Sequence, residues 1–166
     1  MNGPEPQLYE SRTSDAPISQ GDILADIQCV DAYTLPDTLS ATAMVISHGC
    51  EIDKPASKTC YVAQVLPLST IPPSGHAAVR QGNVAAVIHL PQHEALGGEA
   101  YVDLRMIFRV PLEQICSAEL RQEQSGEKVR LLANPAKRLA GLSAYGLSVL
   151  HGQLIVFFTR SKMSGA

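Results

Sequence analysis

The sequence predicts an α+β fold, mainly β, in which short strands build one bent antiparallel sheet and a helix closes the C-terminal end. Three observations lead there. Apolar runs are short and bounded by polar residues or prolines, as at 42–47, 61–68 and 84–90, which is the pattern of buried strands. Three- and four-residue apolar spacing appears only over Leu147, Leu150, Leu154 and Phe157, as on the buried face of a helix. No internal repeat or low-complexity segment interrupts the chain, and 166 residues suffice for one domain with a real core.

Taken in order, residues 1–18 are polar and carry Pro4, Pro6 and Pro17 without periodicity, so they are expected as a flexible N-terminal arm. The domain proper is expected over 19–160 and a short tail over 161–166. Gly21 marks a turn into a strand reaching towards Val30. Pro36 and Asp37 mark a loop at 33–40. Strands follow at 42–47 and 61–68, the second stopped by Pro67. Pro72-Pro73-Ser74-Gly75 reads as loop within 71–81.

A strand at 84–90 ends at Pro91, a turn at 92–98 contains Gly97-Gly98, and 101–110 is rich in β-formers. Residues 112–122 are expected as a short helix, 123–127 as a polar turn, and 129–132 and 139–142 as short strands around Asn134-Pro135. Ser143 caps the final helix over 144–158, its hydroxyl accepting an orphan N–H of the first turn. Gly146 and Gly152 cost that helix some stability.

Composition narrows the function classes. A formal charge of −3 without a basic tail argues against an obligate non-specific nucleic-acid binder, which needs phosphate neutralisation. Aromatic residues at 5% and the lack of Trp weaken any base-stacking surface. No run of 18 apolar residues is present, so no membrane span is expected, and no secretory signal is visible. Cys29, Cys50, Cys60 and Cys116 are irregularly spaced, which fits reduced thiols in the cytoplasm.

Reactive chemistry is concentrated in Ser47-His48-Gly49-Cys50-Glu51-Ile52-Asp53-Lys54, directly after the apolar run Ala43-Met44-Val45-Ile46. Such crowding at a strand end is a usual way to build a site on a rigid scaffold. Three readings stand. His48 and Cys50, with Cys60, offer the imidazole and thiolates that suit zinc. Alternatively, Cys50 is a nucleophile activated by His48, with Glu51 or Asp53 orienting the imidazole. In the third, Cys50 is a small buried hydrophobe and His48 a hydrogen-bonding turn residue.

Elsewhere, His89 ends an apolar strand and faces either a groove or an edge partner, while His76, His93 and His151 are expected to be solvated. Arg105 and Asp103 share a strand face and form either an anion site or an ion pair.

In order and pattern the chain resembles the PemK/MazF-like family of small SH3-like β-barrels with a terminal helix. Gln20-Gly21-Asp22-Ile23-Leu24 is similar to that family's opening strand, and Ala43-Met44-Val45-Ile46-Ser47 to its second core strand. The segment 62–70, with Pro67 and Ser69-Thr70, is similar to the strand and turn that follow. Gly98–Arg109, including Tyr101-Val102-Asp103-Leu104-Arg105, is similar to its later strand. The similarity spans roughly residues 20–115.

The resemblance implies a partly open SH3-like antiparallel barrel, a tendency to homodimerise, and metal-independent RNA cleavage aided by an arginine and a hydroxyl. The hydroxyl falls on Ser69 or Thr70. The family's arginine falls near Ser40-Ala41, where this chain has none; Arg105 or Arg80 would have to stand in, with His48 or His89 as acid or base. A phosphorane needs a preorganised cation. The expected function is therefore a divergent barrel acting as a binding or phage/host-defence accessory protein, holding RNA or a protein partner in a groove near 47–54. An endoribonuclease toxin and a Cys/His-dependent or zinc-binding enzyme are the alternatives, and zinc is the one cofactor implied.

Overall fold

A computed structural model describes residues 7–12, 16–30, 38–54, 57–122 and 129–163. The architecture is α+β, mainly strand: a curled antiparallel half-barrel sheet and a C-terminal helix. The main sheet runs β1(Tyr9–Glu10), β9(Arg138–Leu142), β2(Asp22–Val30), β3(Thr38–Val45), β4(Thr59–Pro67), β6(Gly98–Pro111) and β5(Val87–His93) in spatial order, and β7(Cys116–Gln122) pairs with β8(Val129–Ala133) as a separate hairpin. Among the described residues there are three α-helices: α1(Gly49–Ile52), α2(Pro73–Arg80) and α3(Ala144–Met163). No described helix is long and apolar enough to cross a membrane.

Strand alternation sends side chains to two faces. On one, Leu24, Ile27, Cys29, Ala43, Val45, Cys60, Val62 and Phe108 pack with Ile115, Cys116 and Ala133 of the hairpin side. Further along this face, Val87 and Tyr101 pack with Val79 of α2 and Leu68. On the opposite face, Ile23, Met44, Val65, Ile88, Leu90 and Val102 meet Leu150, with Leu147, Leu154 and Phe157 half-buried beside them. The helical spacing thus does bury the expected stripe of α3. Ser143 caps that helix as expected, its Oγ accepting the Gly146 N–H at 3.1 Å. A Cβ on Gly146 would lie 2.4 Å from the Leu8 carbonyl oxygen, so its cost in helix propensity is offset by close approach of the N-terminal segment.

Several expectations are corrected. The Pro-rich stretch at 71–81 contains α2, because Pro73 stands at the start of the helix, where its missing N–H costs nothing. The segment 112–122 is a single 3-10 turn (Leu112–Gln114) followed by β7, whose pairing with β8 overrides the local pattern. Thr38–Ser40, placed in a loop, opens β3. The last helix runs past 158 to Met163. The loop around Pro36 and Asp37 and the turn at 123–127 lie outside the described residues.

Within the segment read as an arm, Tyr9 and Glu10 pair with Leu142 and Gly141, and Ile18 is buried. Arg12 and Arg138 both meet the wholly buried Asp22, at 3.1 and 2.6 Å, and Ser19 N–H donates to the same carboxylate at 2.8 Å. Burial pushes the Asp22 carboxyl up, against the pull of Arg138, the Ser19 amide and Arg12.

Candidate functional site

The segment after β3 turns on hydrogen bonds that its own sequence supplies. Tyr61 N–H donates to Ser47 Oγ at 2.8 Å, fixing the strand end against β4. His48 then takes an extended conformation and caps the four-residue α1, with the Glu51 amide on its carbonyl at 2.9 Å. Ile52 anchors the turn in the core.

This geometry folds the imidazole back. His48 Nδ1 accepts the Cys50 N–H at 3.3 Å and lies 3.0 Å from Cys50 Sγ. An Nδ1 that accepts an amide is unprotonated and presents its lone pair to the thiol. Both side chains are exposed. Glu51 pairs with Lys54 at 2.6 Å, and Asp53 ends the helix with its amide on the Gly49 carbonyl. Neither carboxylate is hydrogen-bonded to the imidazole among the described residues. Its hydrogen bond to Glu51 raises the pKa of Lys54 above its ordinary value.

The other cysteines differ sharply. Cys29, Cys60 and Cys116 are all buried, and burial pushes the Cys60 and Cys116 thiols up to about 12. Cys60 packs in the core with Cys116. Among the described residues, no three His, Cys, Asp or Glu side chains are grouped to hold a metal ion.

Residues assigned through the family resemblance gather at a second place, around Tyr101. Thr70 closes a 3-10 turn after β4, and its Oγ1 donates to the Pro67 carbonyl at 2.8 Å and sits 3.1 Å from Tyr101 OH. Ser69 beside it is exposed. His89 is the cross-strand partner of Tyr101, so the two share a face.

A register shift between Ala63 and Gln64 leaves residues 104–106 of β6 without partners on β4, a bulge that includes Arg105. Arg105 there donates from Nε and NH2 to Asp103 at 2.8 and 2.7 Å. Burial works to raise Asp103, but the hydrogen bonds from Arg105 win and hold it below the usual range. Arg80 forks onto Glu99 at 2.8 and 2.9 Å, and His89 Nε2 meets the same carboxylate at 2.9 Å. Those hydrogen bonds, from Arg80 first and then His89, hold Glu99 at about 2.

Sequence reasoning named Thr70, Arg105 and His89 but missed Tyr101 and Glu99. The signal was present: Glu99, Tyr101 and Asp103 recur every second residue, which places them on one face of a strand.

Two histidines are also less solvated than expected. His76 is half-buried with a ring nitrogen 2.8 Å from the Ile71 carbonyl. His93 lies against Tyr9, ring centroids 4.6 Å apart. His151 is exposed as expected, with a ring nitrogen 2.8 Å from Gln20 Oε1.

No protein-family model and no curated protein sequence matches the chain.

Proposed function

We propose that the protein acts through Cys50 as a thiol nucleophile with His48 as its proton acceptor. One observation carries this reading: the single exposed thiol among the four cysteines lies 3.0 Å from an imidazole nitrogen whose lone pair faces it. The thiol proton passes to Nδ1, and the thiolate attacks an electrophilic carbon such as that of an acyl group. Ser47 and Ile52 hold the turn on the sheet, so the pair is presented on a fixed scaffold.

The ribonuclease reading is supported by a different observation, the gathering of Thr70, His89 and Arg105 around Tyr101. Both arginines of that face are matched by carboxylates, Arg105 by Asp103 and Arg80 by Glu99. Each positive charge is already neutralised where a phosphorane would need it. The thiol reading therefore leads.

The test is acylation by p-nitrophenyl acetate. Cys50 Sγ attacks the ester carbonyl, p-nitrophenolate leaves, and an S-acetyl adduct remains while His48 holds the thiol proton. Cys50→Ser is expected to lose the adduct, and His48→Ala to slow its formation at neutral pH by roughly a hundredfold, as for loss of a general base. Acetylation of Cys50 no faster than that of free cysteine, and indifferent to His48→Ala, overturns the reading.

A further inference from the structure

Among the described residues, strand β5 ends the main sheet and pairs with β6 alone. The Leu104 N–H donates to the Ala86 carbonyl at 2.9 Å, and the register pairs Ile88 with Val102 and Leu90 with Ala100. Even-numbered residues of β5 therefore turn their main-chain groups to β6, and odd-numbered residues turn theirs outward. Two of the outward groups are already satisfied. The Val87 N–H folds back onto the Val84 carbonyl at 3.1 Å, and Tyr9 OH donates to the Pro91 carbonyl at 2.8 Å. By the same register the Val87 carbonyl and both main-chain groups of His89 face away from β6, and no turn, loop or side-chain hydrogen bond takes them among the described residues.

These groups border a cavity of about 420 Å³ lined by Leu8, Arg80, His89, Tyr145, Val149 and Gln153, among others, a size typical of ligand pockets. Helix α2 flanks one face of the strand and α3 the other. Gln153 of α3 also donates to the Val84 and Ala85 carbonyls, both at 2.9 Å, which caps the approach to the strand.

We propose that this cavity receives an extended peptide segment of a partner protein, which adds to β5 as a further strand. The His89 N–H and carbonyl bond one residue of the incoming strand, and the Val87 carbonyl takes a third hydrogen bond. Side chains of the added strand alternate between the two helices. Those towards α3 meet Leu8, Val149 and the Tyr145 ring, so they are apolar. Those towards α2 meet Arg80 and the His89 imidazole, so they are polar. This site is independent of the thiol reading.

The probe is a displayed library of random octapeptides selected on the full chain. Enriched peptides should alternate apolar and polar residues, and methylating the amide nitrogens that face β5 should weaken them about tenfold or more, the loss of one or two hydrogen bonds. His89→Pro removes the outward N–H from an edge strand, which such strands tolerate, together with the imidazole that meets Glu99; it should abolish binding. His89→Ala keeps that N–H and should bind more tightly than His89→Pro, the difference reporting the main-chain hydrogen bond rather than the imidazole. Three results would overturn the proposal. One is the absence of any enriched alternating peptide. Another is equal binding of methylated and unmethylated peptides. The third is a native-mass dimer that His89→Pro dissolves, which would make a second copy of the chain the occupant.

Discussion

His48 and Cys50 stand two positions apart, yet the turn after β3 brings Nδ1 within 3.0 Å of Sγ, while the Cys50 amide approaches the same nitrogen at 3.3 Å. One lone pair serves both donors. The longer amide contact is the weaker of the two, so the thiol is placed to give up its proton without any rearrangement of the backbone.

Asp22 and Arg138 predict where the fold is most easily broken. Both are buried, and the carboxylate is also met by Arg12 and the Ser19 amide. Arg138→Met is expected to cost about 3 kcal/mol in urea unfolding, because it removes the nearer of two guanidinium partners from a buried carboxylate. A loss near that of a surface substitution would show the network to be idle.

Acid should act through Glu99. Its carboxyl is held at about 2 in the folded chain against 4.5 for the free group. A lowered carboxyl contributes stability that is full above pH 4.5 and is lost as pH falls towards 2. Glu99→Gln should flatten the melting temperature across that window, and an unchanged slope would contradict the pairing with Arg80 and His89.

Alkali should act in the opposite sense through the buried thiols. Cys60 and Cys116 sit at about 12 when folded, against 9.0. The unfolded chain releases those protons first, so stability is full below pH 9 and falls as pH rises from 9 towards 12. Thermal melts of Cys60→Ala should show a shallower alkaline decline than wild type.

Ser143 closes the first turn of α3 and donates to the Gln7 carbonyl at 2.6 Å. Ser143→Ala should cost about 1 kcal/mol, the usual worth of such a cap. Amide exchange in the first turn of α3 should accelerate, and an unaltered exchange rate would show that packing alone holds the helix start.

Much of the fold was legible because it rests on local alternation. The runs at 42–47 and 61–68, the helical stripe of Leu147, Leu150, Leu154 and Phe157, and the cap at Ser143 are all present. The misreadings arise where local and long-range signals disagree. Pro72-Pro73 reads as punctuation, yet a proline at the first helical position starts α2. Residues 116–122 become strand only because β8 pairs with them.

At the candidate site His48 and Cys50 stand out in the sequence as reactive side chains two apart, but their 3.0 Å approach depends on the turn that α1 makes. The burial of Cys60 was not legible, because it depends on contacts between elements distant in sequence. The cluster of Thr70, Tyr101 and Glu99 with Arg80 was hidden for the same reason, as its members come from three separate elements.

The most direct test of the thiol reading is a time course of iodoacetamide labelling of the folded chain, read by mass spectrometry across neutral pH, in wild type and His48→Ala. The account predicts one adduct, on Cys50, forming before any on Cys29, Cys60 or Cys116 and markedly slower in the variant. Cys50 labelling no faster than free cysteine, and equally fast without His48, would contradict it.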